Sequence, residues 1–189
     1  MPVYVGLLRA VNLAGGSQVS MERLREMLRR NGLADVTTLL QSGNVVFRSS
    51  EGDTTRLEAT VEGWVAKEFG LRTECLVRSA PEWRAVVSAN PFPREAREAP
   101  NHLVVLALKA PPTREGWMAL DAAIPGRERV KGIGQQAYIV YTDGIGRSRL
   151  TNALIEKHLG SRGTGRNWKT VRKLEAMAGS LENSESKPP

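Results

Sequence analysis

Cysteine is nearly absent. Cys75 is the one thiol in 189 residues, so no intramolecular disulfide can form and the fold must rest on its core. A single thiol suits a reducing compartment, and Cys75, in the strand-like run Thr73-Glu74-Cys75-Leu76-Val77, reads as a small core residue. There are two histidines, His102 and His158, and neither has metal-ligand spacing, so no metal and no cofactor are expected. Aromatics make up 5% of the chain and no strand is rich in them, which argues against a sheet that reads RNA by stacking bases. No apolar run approaches the roughly 20 residues of a membrane helix. No basic segment precedes an apolar one at the N-terminus. These absences lead us to expect a soluble cytoplasmic protein without a membrane partner. Serine, histidine and acidic residues fall in no order that argues for a catalytic triad, and no inward-facing carboxylate pair stands out.

What is present is ordinary in amount and unusual in placement. Hydrophobic residues at 41% and charged residues at 25% give a globular chain with a normal core. The net charge is +7. Residues 127–173 hold eleven basic and three acidic side chains, a net of +8, which leaves −1 for the rest. The positive charge is therefore one block, and an anionic ligand is the partner it implies.

The pattern of elements is α+β. Val3 to Val11 is an apolar run of strand length. Ser20 caps a helix with Met21, Leu24 and Leu28 on one face, and Gly32 stops it. Strands at Val36–Leu40 and Val45–Ser49 flank the turn Gln41-Ser42-Gly43-Asn44. Asp53 opens a second helix that Gly70 closes, and a strand follows over Arg72–Arg78. This order, β-α-β-β-α-β, is the ferredoxin-like split motif. Ser79-Ala80-Pro81-Glu82 is a capping box. The charged, proline-broken stretch Arg94–Pro100 reads as the link between halves. Then Leu103–Leu108 (strand), Thr113–Ala123 (helix), two strands around Gly134 and a helix over Arg149–Leu159 capped by Ser148 repeat the order. A last helix covers about Asn167 to Ala178. The expected architecture is two similar ferredoxin-like halves in tandem, 1–93 and 101–178, plus a C-terminal helix and a disordered polar tail, 179–189.

Three segments could hold an anion. Asp143-Gly144-Ile145-Gly146-Arg147-Ser148 leads from a strand into a helix start, where unpaired N–H groups, the helix dipole, Arg147 and Arg149 favour phosphate. Ser161–Thr170 carries Arg166, Asn167, Trp168 and Lys169 on a glycine-broken approach to the last helix. Trp168 falls between the apolar and basic faces of that helix, so it either stacks on a base or fills the core. The first loop carries Arg9, Asn12, Gly15 and Gly16. For each segment the plainer alternative is a turn, a cap or a solvated basic face.

The motifs Leu7-Leu8-Arg9-Ala10-Val11-Asn12-Leu13-Ala14-Gly15-Gly16, Gln41-Ser42-Gly43-Asn44-Val45-Val46-Phe47, Asn90-Pro91-Phe92, Gly146-Arg147-Ser148 and Thr164-Gly165-Arg166-Asn167-Trp168-Lys169-Thr170-Val171 occur in this order. The set resembles the bacterial domain-of-unknown-function family numbered 1697, over residues 1 to about 178. The resemblance implies two ferredoxin-like α+β halves and no established activity, substrate or cofactor. Ala10 stands where that family usually has glycine, and Gly165 where it has a second threonine. The leading expectation is binding of a phosphate-bearing ligand, a nucleotide or a nucleic acid. The alternatives are an enzyme acting on a small phosphorylated molecule in a cleft, and a homodimeric or partner-binding scaffold without chemistry. A monomer and a homodimer both stay open.

Overall fold

The computed structural model describes residues 1–11 and 19–184. It divides into two compact units, Met1–Ala85 with the chain from Lys173 on, and Val86–Arg172.

The first unit runs β1 (Val3–Leu8), α1 (Met21–Arg30), β2 (Ala34–Leu39), β3 (Asn44–Arg48), α2 (Thr54–Phe69), β4 (Cys75–Ser79) and the start of α3 (Ala80–Ser88). Ser20 caps α1 by accepting the Arg23 N–H, and Asp53 caps α2 by accepting those of Thr55 and Arg56. Gly70 ends α2 in the left-handed conformation, φ 64°. The Ser79–Glu82 capping box forms in both directions. The four strands are antiparallel in the order β2-β3-β1-β4. Leu24, Met27 and Leu28 of α1 and Leu57, Val61 and Val65 of α2 pack on Tyr4, Leu8, Val45, Phe47, Cys75 and Val77 of the sheet. Gly43, φ 72°, has no side-chain alternative: a Cβ there would lie 2.5 Å from the Val11 side chain and 2.7 Å from Leu8 Cβ.

The second unit contains the end of α3, then α4 (Pro93–Glu98), β5 (Leu103–Leu108), α5 (Arg114–Ala123), β6 (Arg129–Ile133), β7 (Gln136–Val140), a 3-10 turn (Ile145–Arg147), α6 (Asn152–Leu159), β8 (Gly163–Asn167) and the start of α7 (Trp168–Ser184). Its strand order, β6-β7-β5-β8, repeats that of the first unit. Leu120, Leu150, Ile155 and Leu159 pack on Val104, Leu106, Leu108, Ala137 and Ile139. Both faces of β1 and of β5 are buried, which fits their unbroken apolar sequences.

Several expectations change. The stretch read as a link, Arg94–Pro100, is largely helix α4, because Pro93 stands early in its first turn where a missing N–H costs nothing. Gly163–Asn167 is a strand, not the approach to a helix, and it completes the second β-α-β-β-α-β unit. Its glycines serve close packing: a Cβ on Gly163 would lie 2.6 Å from the Ala107 carbonyl oxygen. The cap of α6 is Thr151, which accepts the Leu154 N–H at 3.2 Å, and not Ser148. The last helix continues through Gly179 to Ser184, where a disordered tail was expected. Arg84 pairs with Glu182 and Arg48 donates to the Leu181 carbonyl, so that segment has tertiary partners that hydropathy does not reveal.

Candidate functional site

Strand register decides which candidate segments meet. On β5, Leu103 pairs with Val140 of β7 on one side and Val104 pairs with Asn167 of β8 on the other. The loop after β7 and the start of α7 therefore leave the same end of the sheet. They are separated by two strand spacings, about 10 Å. The N-termini of α6 and α7 both sit at that end.

The loop after β7 is tied down from beneath. Arg127 pairs with Asp143, and Thr142 Oγ1 donates to the Arg127 carbonyl at 2.9 Å. Ser148 donates to the Glu128 carboxylate and accepts the Leu150 N–H at 2.9 Å. Arg149 reaches the Pro125 carbonyl at 3.3 Å. These contacts hold Gly146, Arg147 and Arg149 at the surface, all three exposed. The second Glu128 oxygen is buried without a hydrogen-bond partner. Its negative charge, after burial itself, helps push the Tyr141 phenol up to about 12. Glu128 went unnoticed in the sequence as a site element; the signal was an acidic residue between Arg127 and Arg129 in an otherwise basic run.

The second segment separates by side chain. Asn167 caps α7, its Oδ1 accepting the Thr170 N–H at 2.9 Å. Lys169 is exposed beside it, whereas Trp168 is buried at 5% exposure and fills the core. No base can stack on that indole. Arg166 pairs with Val105, so its side chain lies on the sheet face away from α5 and α6. It donates to Thr164 Oγ1 at 2.7 Å and to the Gly165 carbonyl at 2.9 Å. Burial lowers its guanidinium pKa to about 10.

The remaining candidates belong to the first unit by sequence. Arg9 follows β1 and pairs with Glu74 at 3.4 Å. Asn12, Gly15 and Gly16 lie outside the described residues. Among the described residues no three His, Cys, Asp or Glu side chains gather as a metal ion requires, and no helix is long and apolar enough to cross a membrane.

The family described as "Protein of unknown function (DUF1697)" matches residues 1–138. The chain belongs to this family. The matched span takes in Met1–Ala85 of the first unit and the second unit as far as Tyr138 of β7; the loop after β7 and all of α7 lie beyond it. No curated protein matches the chain. The solved structure of a conserved bacterial protein from Streptococcus pneumoniae superposes with a TM-score of 0.75 at 20% identity, covering 94% of this chain and 98% of that one. The DUF1697 chain thus shares its α+β fold, over 94% of its length, with that bacterial protein.

Proposed function

We propose that the second unit binds the phosphate groups of a nucleotide or nucleic acid at the sheet end where the loop after β7 and the start of α7 meet. The observation that carries this reading is the register of β5, which brings the loop that bears exposed Arg147 and Arg149 and the helix start that bears exposed Lys169 to one end of the sheet. Helix starts present N–H groups and partial positive charge, and forked guanidinium groups match phosphate oxygens. Arg127 plays a lesser part because Asp143 neutralises it. With Trp168 buried, the contact is to phosphate and not to a stacked base. The phosphorylated-substrate enzyme gains little from this end: Asp143 is paired with Arg127, and Glu128 accepts from Ser148 through one oxygen while the other is buried.

The test is titration of a nucleoside triphosphate and of a short single-stranded oligonucleotide at low salt, by calorimetry and fluorescence anisotropy. One of the two should bind, and Arg147→Ala and Arg149→Ala should each weaken it about tenfold, the worth of one charge-assisted hydrogen bond. The affinity should fall steeply with added salt. Absence of binding by both probes, or undiminished binding by the double variant, would refute the reading.

A further inference from the structure

The two units share one plan, and each sheet has two edges that need protection. Three of the four edges are closed by side chains from a neighbouring helix. On β4, Glu62 of α2 accepts the Cys75 N–H at 2.8 Å and Glu58 accepts that of Val77 at 2.8 Å. On β8, Glu156 of α6 accepts the Gly163 N–H at 3.0 Å. On β2, Arg29 of α1 donates to the Val36 carbonyl at 2.7 Å and Arg25 donates to Thr38 Oγ1 at 2.6 Å.

The fourth edge is β6. Among the described residues no side chain hydrogen-bonds its backbone, and four of its five residues are exposed. Counted from the first residue of each helix, Met118 and Ala122 of α5 occupy the places that Arg25 and Arg29 hold in α1. Without those arginines the space between α5 and β6 is an open groove of about 380 Å³, lined by Trp117, Met118, Asp121, Val130, Lys131 and Gly132. Met118 is 63% exposed there. The Trp117 ring lies so close over Gly132 that a Cβ on that glycine would stand 2.4 Å from it.

We infer that β6 takes up an extended, alternately apolar and acidic segment of a partner protein as a fifth strand of this sheet. Strand alternation fixes the chemistry of the guest. Val130 and Gly132 pair with Ile139 and Ala137, which face the helices, so guest residues on that side enter the groove against Trp117 and Met118. Asp121 in the same groove repels an acidic residue there. Arg129 and Lys131 point to the opposite side; Arg129 is already paired with Glu95 and lies over Phe92, so Lys131 is the cation there, and opposite it the guest needs a carboxylate. Main-chain hydrogen bonds give such a complex affinity, and the alternate side chains give it selectivity. A second copy of this chain fits less well. Antiparallel pairing of β6 with itself about Lys131 sets lysine against lysine, and pairing about Val130 sets Arg129 against Lys131. This inference uses a different surface from the phosphate site and does not depend on it.

The probe is a blocked, fluorescently tagged hexapeptide of alternating leucine and glutamate, titrated into the full chain and followed by anisotropy and amide NMR. It should bind, with shifts centred on β6 and α5. A leucine–lysine counterpart should bind at least tenfold more weakly, and Lys131→Glu should reverse that preference. Ala122→Arg, which restores the arginine that closes β2, should abolish binding while leaving the spectrum folded. The proposal is overturned by no binding at millimolar peptide, by equal binding of both peptides, by shifts outside β6 and α5, or by light scattering that shows a dimer with β6 amides already protected.

Discussion

Arg48 shows how much one residue can carry without a sequence signature. It sits in β3 at 3% exposure, in a run that reads as plain apolar strand. Its guanidinium donates to Asp35 at 3.0 Å, to the Met1 carbonyl at 2.9 Å and to the Leu181 carbonyl at 2.6 Å. One planar fork thus ties β2, the N-terminus and α7 together. Arg48→Met keeps most of the stem volume and removes every donor. Asp35 is solvated and tolerates the loss, but the carbonyls lose a buried partner. We expect a cost of about 2–4 kcal/mol in urea unfolding, together with faster amide exchange over 179–184. Arg48→Lys should recover only part of it, since a point charge cannot reach three acceptors in the fork geometry. A lysine variant as stable as the native chain would show that charge, and not the fork, is what matters.

At the scale of elements, the same device recurs: a helix carboxylate caps the N–H groups of an edge strand. Glu58 is the most buried example, at 6% exposure, and it also lies 3.5 Å from Arg78. Burial depresses the Arg78 guanidinium pKa, and Glu58 opposes that shift. Glu58→Ala withdraws an acceptor from Val77 and a counter-charge from a buried cation, so it should cost about 3–5 kcal/mol. Glu58→Gln keeps the acceptor and should cost clearly less. Equal losses in the two variants, measured by denaturant unfolding, would refute the capping role. This device explains which parts of the fold were legible. Caps at Ser20 and Asp53, the glycine stop at Gly70 and the apolar strand β5 all rest on local signals, and they lie where the sequence places them; β1 ends at Leu8, short of the Val11 that closes the apolar run. Strand β8 was missed because Gly163-Thr164-Gly165-Arg166-Asn167 has neither β-branched density nor alternation; only pairing with β5 makes it a strand. Helix α4 was missed because two prolines and four charges look like a linker when read locally. In the candidate site the arginines were legible as charge. That Arg166 turns to the sheet face away from α5 and α6 follows from register, which no local pattern encodes.

At the scale of the whole molecule, the fold's response to alkali separates competing ionisations. Tyr138 and Tyr141 are buried at 0% and 2% exposure, and burial raises both phenols to about 12. Tyr4 is raised as well, by burial and then by Glu51 and Glu82. A raised phenol means that the fold favours the neutral form. Its contribution is complete below pH 10, where the unfolded chain is also neutral, and is lost as the pH rises from about 10 to about 12. Each tyrosine then removes up to about 1.4 kcal/mol per pH unit in that window. Arg166 acts in the opposite sense. With its pKa lowered to about 10, the fold releases that proton before the unfolded chain does, which favours the folded state as the pH climbs. Three raised phenols outweigh two lowered guanidiniums, Arg166 and Arg78, so stability should be level from pH 8 to 10 and fall above it. Tyr138→Phe removes the hydrogen bond to the Val86 carbonyl, made at 2.6 Å, and should lower stability near neutrality while flattening the alkaline fall. Combining it with Tyr141→Phe should flatten the fall further and unmask the rise due to Arg166. Urea midpoints taken between pH 8 and pH 11 measure this directly. If the double variant loses stability above pH 10 as steeply as the native chain, the buried phenols are not its cause.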